Sequence, residues 1–166
     1  MKKILFLFSA LSLFGCTPKY DLIVYGGSAS GVMAAYSAAQ EGLDVLLIEP
    51  TCRFGALTSG GLGQTDIGNK QVVKGLALQF YRRLGAHYGN LENWIFEPSA
   101  ALEVFESYLK HPRIKAIKNY HLVDAACPDG RIRSLRVANG SDTLCFAAPW
   151  YIDCSYEGDL MAAAGV

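Results

Sequence analysis

The sequence predicts an α/β domain: a parallel sheet flanked by helices, with an antiparallel meander inserted into it. Three observations lead there. Two short apolar runs, Asp21–Tyr25 and Asp44–Ile48, bracket an alanine-rich stretch within about thirty residues. A glycine turn joins the first run to that stretch. Finally, four short apolar runs with turn dipeptides between them crowd residues 114–147.

The first strand, Asp21–Tyr25, is β-branched and apolar without alternation, the pattern of a strand buried on both faces of a parallel sheet. Gly31–Gln40 is rich in alanine and free of proline, which favours helix, and Gly42 stops it. Asp44–Ile48 is a second buried strand, closed by Glu49-Pro50. The stretch from Arg53 to Gly68 is rich in glycine and reads as a long loop, a type that is more often functional than idle. Val72–Leu84 follows as an amphipathic helix with Val73, Leu76, Phe80 and Leu84 on one face. Ser99–Leu109 is another helix, ended by His111-Pro112. From Ile114 the period changes: the runs Ile114–Ile117, Tyr120–Ala126, Ile132–Val137 and Thr143–Ala147 are punctuated by Pro128-Asp129-Gly130 and Asn139-Gly140. They predict a meander over about residues 119–147. Trp150–Asp153 returns as a buried strand, and Leu160–Ala164 starts a further helix.

Composition narrows the function. The chain has 166 residues, 51% of them hydrophobic and 18% charged, enough for one domain with a real core. Its formal net charge is zero, so there is no basic field of the kind that holds nucleic acid. The N-terminus is set apart. Lys2 and Lys3 precede an apolar run from Ile4 to Phe14, too short to span a bilayer, which needs roughly 20 residues. Residues 1–16 therefore read as an export signal. The ending Leu13-Phe14-Gly15-Cys16 resembles the lipobox of bacterial lipoproteins, which implies lipidation at Cys16 and a location in the cell envelope, anchored to a membrane. A signal cleaved nearby and an uncleaved anchor are the alternatives. The domain proper spans residues 20–166. Four cysteines follow Cys16, at 52, 127, 145 and 154; three disulfide pairings are open, and no Cys-x-x-Cys pair suggests a dithiol or a metal site.

The chemistry lies in Gly26-Gly27-Ser28-Ala29-Ser30-Gly31. A strand that enters a glycine turn and then a helix presents free backbone N–H groups at the helix N-terminus, where the dipole favours a pyrophosphate. Gly26 permits the tight turn and Gly31 permits close packing of helix on strand. Ser28 departs from the glycine of the usual dinucleotide fingerprint; its Cβ must stay clear of the phosphates, and its hydroxyl is placed to donate to one. Glu49 ends the second strand, 18 residues after Gly31, where a carboxylate accepts hydrogen bonds from a ribose 2′-OH and discriminates against a 2′-phosphate. Strand, turn, helix, strand and acid in this order predict a Rossmann-type dinucleotide site. The turn alone does not choose between FAD and NAD.

Three stretches carry a family resemblance: Val24–Gly31, Arg53–Gly63 and Tyr151–Leu160. Together they resemble the FAD-dependent oxidoreductase family, glutathione-reductase-like flavoproteins often found in bacterial polysaccharide-degrading contexts. The resemblance covers nearly all of the chain after the export signal. It implies a Rossmann-type FAD-binding parallel sheet with an inserted meander. It implies FAD as cofactor and a small organic substrate, carbohydrate-derived in that context. Carried onto matching positions, it places Gly26, Ser28, Ala29, Ser30 and Gly31 on the pyrophosphate and Glu49 on the adenosine ribose. Arg53, Gly55 and Thr58 lie along the pyrophosphate and ribityl chain, with Gly60 and Gly61 close to the flavin. Leu122 or Val123 offers backbone contact to the adenine, and Asp159 is a polar candidate beside the cofactor. Where the family commonly has two glycines, this chain has Gly55-Ala56; where it commonly has Ala-Thr, this chain has Cys154-Ser155. The family continues well past the Gly-Asp-Leu segment, so the resemblance implies an N-terminal portion, C-terminally incomplete.

No catalytic acid or base is identified: His87, His111 and His121 lie outside the three stretches and read as surface or loop residues. Cys52 is either an incidental thiol or a redox partner of the flavin loop. Two other functions stay open at this stage, an NAD-linked dehydrogenase using the same turn and a non-catalytic, truncated lipoprotein binding module. The oligomeric state is undetermined.

Overall fold

A computed structural model describes residues 19–166; the export signal and Cys16 expected from the sequence lie outside them. Among the described residues, seven strands and five α-helices form three layers. β1 (Leu22–Tyr25), β2 (Val45–Glu49), β3 (Ile114–Lys118) and β7 (Trp150–Asp153) make a parallel sheet in the order β3-β2-β1-β7. β4 (His121–Ala126), β5 (Ser134–Ala138) and β6 (Thr143–Phe146) make an antiparallel sheet in sequence order. The helices are α1 (Ala29–Gln40), α2 (Ala56–Gly60), α3 (Gly75–His87), α4 (Pro98–Leu109) and α5 (Asp159–Ala163).

The unbroken apolar runs of β1 and β2 find their explanation in these layers. Alternate residues of a strand face opposite sides of the sheet. Leu22, Val24, Val45 and Leu47 pack toward α1, α3 and α4, against Ala35, Leu84, Phe105 and Tyr108. Ile23, Tyr25, Leu46 and Ile48 face the other way, onto Leu135 and Val137 of the meander, together with Ala148 and Leu160. Both faces are covered, so every residue of both strands is buried and alternation never arises. The meander is the third layer of the domain, and it seals the sheet face that the helices leave open.

Four expectations are corrected. The run Ile114–Ile117 is not part of the meander: it is β3, parallel to β2 with Ile114 opposite Val45. The meander therefore begins at His121. The helix read as Val72–Leu84 starts at Gly75, because Lys70–Val72 forms a separate 3₁₀ turn capped by Asn69 Oδ1, which accepts from Gln71 N–H at 3.0 Å. Val73 and Lys74 separate the two, and α3 opens on Gly75 at φ +59°. The loop after Arg53 contains the short helix α2. Lastly, β7 pairs only with β1 among the described residues, so Trp150 and Ile152 stand exposed on an edge and the strand is not buried on both faces. No described helix is long and apolar enough to cross a membrane. Of the cysteines, Cys52, Cys127 and Cys154 are free thiols, so no pairing among those three forms.

Candidate functional site

The glycine turn lies between the C-terminal ends of β1, β2 and β7, at the N-terminus of α1. Gly26 sits at φ +96°, and a Cβ there would meet Ser155 N at 2.4 Å, so the position demands glycine twice over, by conformation and by space. At Gly31 a Cβ would lie 1.9 Å from the Gly26 carbonyl oxygen; its absence lets α1 press onto the turn. Ser28 caps α1: its Oγ accepts from Gly31 N–H at 3.3 Å. That hydroxyl donates to the Cys154 carbonyl at 2.8 Å and sits 2.9 Å from Ser30 Oγ. The side chain thus turns into the fold, toward β7, and its proton is committed there; the expectation that it faces a phosphate is corrected in this respect. The backbone amides of Ser28, Ala29 and Ser30 lead to no acceptor among the described residues. They form the unpaired donor set that a helix N-terminus offers to an anion.

Glu49 is 5% exposed and lines the same cleft. Its Oε2 accepts from Gly27 N–H at 2.6 Å and its Oε1 from Thr51 N–H at 2.7 Å. A carboxylate offers roughly four lone-pair sites, so two remain for a partner in the cleft. These two bonds also hold the carboxylate in one rotamer at the end of β2. Thr51 was not apparent from the sequence, because its contribution is a backbone group.

The cleft holds about 360 Å³. Its floor is Gly26, Ser28 and Glu49; one wall is Ala56, Leu57 and Gly60 of α2, the other Cys154–Glu157. The second wall is organised by Asp153, whose Oδ1 accepts from Ser155 N–H at 2.9 Å and Ser155 Oγ at 2.6 Å, while Oδ2 accepts from Met161 N–H at 2.9 Å. Burial raises the Asp153 pKa, but the donors from Ser155, Met161 and Leu160 outweigh it and hold the carboxyl below its usual range. Burial pushes the Cys154 thiol up, so it stays protonated beside α1.

A neighbouring recess of about 280 Å³ includes Asp159, which thereby borders both spaces, together with Tyr25, His121, Leu122 and Val123. A β-bulge between Leu122 and Asp124 leaves Val123 with no opposite residue on β5. Tyr25 supports the bulge: its Oη accepts from Leu122 N–H at 2.9 Å, and burial raises its pKa. Thr58 and Ser30 line a third, apolar recess of about 320 Å³ on the far side of α2, next to Phe80 and Phe105.

Four expected site residues line none of these spaces: Gly31, packed into the turn as described, and Arg53, Gly55 and Gly61. The Arg53 guanidinium is turned to the Ser59 carbonyl, with Nη1 at 3.1 Å. Gly55, at φ +92°, donates its N–H to the Gly27 carbonyl at 2.7 Å, and a Cβ there would strike the Phe105 ring at 2.4 Å; it joins the loop to the glycine turn. Gly61 ends α2 at φ +140°, exposed.

Comparison with known proteins places this arrangement. Residues 21–166 match the model of the FAD dependent oxidoreductase family, and the chain belongs to that family. Its cofactor is accordingly FAD. A stretch of 56 residues is 34% identical to 3-oxosteroid 1-dehydrogenase of Mycolicibacterium smegmatis, covering 34% of this chain and 10% of that protein. Among solved structures, THI4 of Thermovibrio ammonificans is similar at a TM-score of 0.63 and 16% identity, over 89% of this chain and 63% of the other. L-proline dehydrogenase from P. horikoshii is similar at a TM-score of 0.65 and 13% identity, over 90% of this chain and 56% of the other. These likenesses are of fold, and this chain spans roughly half to two thirds of the length of those structures.

The residues present fit FAD. Gly26 and Gly31 let the turn close tightly against β7 and α1, the amides of Ser28, Ala29 and Ser30 at that helix N-terminus are unpaired among the described residues, and Glu49 lines the cleft beside Ser28 with lone pairs to spare.

Proposed function

We propose that the protein is an exported, membrane-anchored FAD-dependent oxidoreductase acting on a small organic substrate, and that these residues hold the adenosine and pyrophosphate end of its cofactor. One observation carries this reading: Ser28, at the head of the unpaired amides that open α1, and the fixed Glu49 carboxylate line one cleft. The amides of Ser28, Ala29 and Ser30 hold the phosphates, Glu49 accepts from the ribose, and the neighbouring recess at the Val123 bulge, with Asp159 bordering both spaces, receives the adenine. Gly26 and Gly31 allow the turn to pack tightly enough to set the amides at the start of α1. Thr58 and Gly60 of α2 continue the path toward the flavin, with Arg53, Gly55 and Gly61 shaping the loop that carries it. Bound FAD supplies the electron-transfer chemistry, and the protein binds and orients it.

A small organic substrate agrees with the similarity to a 3-oxosteroid 1-dehydrogenase and an L-proline dehydrogenase; a carbohydrate-derived molecule is the choice suggested by the family resemblance. Export and lipidation at Cys16 rest on Lys2, Lys3 and the apolar run before the cysteine. Labelling with a radioactive fatty acid, lost in Cys16→Ala, tests the anchor.

The cofactor reading is tested on the purified full-length protein by its visible flavin absorption and by titration with FAD against NADH. A yellow protein that quenches FAD fluorescence is expected. A colourless protein that binds NADH and not FAD overturns the proposal. Glu49→Gln is expected to weaken FAD at least tenfold. The amide group keeps one acceptor oxygen and turns an NH₂ toward a backbone N–H, leaving a buried donor unpaired at about 1–3 kcal/mol.

A further inference from the structure

The two walls of the cleft come from segments about a hundred residues apart, and a single hydrogen bond spans them. Leu57 N–H, in the first turn of α2, donates to Tyr156 Oη at 3.1 Å. Leu57 is 60% exposed and Tyr156 66% exposed, so neither side chain is held by the core. The backbone beneath Tyr156 is fixed, by contrast: Asp153 and Ser155 bind the segment through the three bonds described above, and Ser155 Oγ also accepts from Asp159 N–H at 2.9 Å. A free side chain on a fixed base, bridging a cleft that opens on one side, has the geometry of a strap. The anchor at the far end is also fixed, since Gly55 N–H is tied to the Gly27 carbonyl and Ser59 Oγ to the Phe54 carbonyl.

We infer that Tyr156 is a clasp, whose hydroxyl closes the cleft by binding the Leu57 amide and releases it to let the cofactor in or out. This rests on the cofactor reading above. Tyr156 acts through Leu57 and so is a gating residue, not a catalytic one. The clasp is closed in the structure, and on this inference it closes again above bound cofactor. The hydrogen bond therefore stabilises the free and bound states alike and slows passage in both directions. An ordinary contact to the cofactor behaves differently, because its loss speeds release alone and raises Kd by the same factor.

The test is stopped-flow FAD binding to the full-length apoprotein, followed by flavin fluorescence, in wild type and Tyr156→Phe. Loss of one neutral hydrogen bond corresponds to about a fivefold change. Association and release are both expected to rise about fivefold, with Kd changed less than twofold. Tyr156→Ala removes the ring as well and is expected to match or exceed those rates. Faster release alone, with Kd rising in step, overturns the clasp in favour of a direct contact; unchanged rates overturn it outright. A wild-type protein that does not bind FAD refutes the cofactor reading and the clasp together, whereas wild-type binding with unaltered Tyr156→Phe rates refutes only the clasp.

Discussion

Substituting Gly31 by alanine probes the site at its tightest point. The added Cβ would lie 1.9 Å from the Gly26 carbonyl oxygen and 3.2 Å from Cys154 Cβ. An acceptable carbon–oxygen separation is roughly 3.3 Å, so α1 must retreat from the turn by about 1.4 Å. Neither contact is with a flexible chain end that can rotate away. Overpacking of this kind costs about 1–3 kcal/mol, and the retreat also stretches the Ser28 Oγ bond to the Cys154 carbonyl. With about 2–4 °C per kcal/mol for a protein of this size or somewhat larger, the melting temperature is expected to fall by about 2–12 °C. The effect on the cofactor is larger. The same movement carries the Ala29 and Ser30 amides out of hydrogen-bonding range of a phosphate seated on the turn. Two bonds to a charged group, each about 1.5–3 kcal/mol, amount to a loss of at least a hundredfold in affinity. The assay is FAD titration by fluorescence quenching beside thermal melts of the apoprotein. Gly68→Ala serves as control, since a Cβ there meets nothing within 4 Å. A Gly31→Ala protein that melts within 1 °C of wild type (about half a kcal/mol or less) and binds FAD equally well would refute the role given to close packing at the turn.

Three further outcomes are expected. Ala56 occupies the left-handed region at φ +47°, which costs a non-glycine residue about 1–2 kcal/mol; part of that gain is offset by glycine's larger unfolded-state entropy. Ala56→Gly should therefore stabilise the protein by about 0.5–1 kcal/mol in urea unfolding, and a destabilised variant would show that the methyl is packed usefully. The Tyr108 hydroxyl is buried and has no hydrogen-bond partner, while its ring stacks under the Arg83 guanidinium at 3.7 Å. Tyr108→Phe keeps the ring and removes the unsatisfied group, so equal or greater stability is expected, by up to about 1 kcal/mol. Asp153 has a folded-state pKa below its unfolded value; its contribution is therefore fully present above the unfolded pKa, about 3.9, and lost as pH falls through the folded value. The stability difference between wild type and Asp153→Asn should accordingly be constant near neutrality and shrink below about pH 4, as measured by urea unfolding at several pH values.

How much was legible beforehand follows from how local each determinant is. Glu49 could be assigned to the cleft because it ends a strand adjacent to the one that feeds the glycine turn, and the crossover between them is short. Tyr156 lay inside a stretch already singled out for its family likeness, yet its partner is an amide in a loop about a hundred residues earlier; no spacing rule points to it. Ser28 was expected to face phosphate because its own neighbourhood suggests so. The acceptor that claims its proton belongs to a segment 126 residues away.

By itself the sequence determined the βαβ order, the glycines at 26 and 31 and the acid at 49, because strand burial, turn conformation and helix propensity act within a few residues. Tertiary structure decided the rest. It drew Ile114–Lys118 out of the meander and into the parallel sheet, since a short apolar run pairs with whichever strand edge the intervening helices bring to it, here β2. It exposed one side of β7, which has β1 as its sole described neighbour. It set Gly55 against Phe105 and Ser28 against Cys154. Packing and hydrogen-bond satisfaction depend on which surfaces meet, and that is a property of the folded chain as a whole.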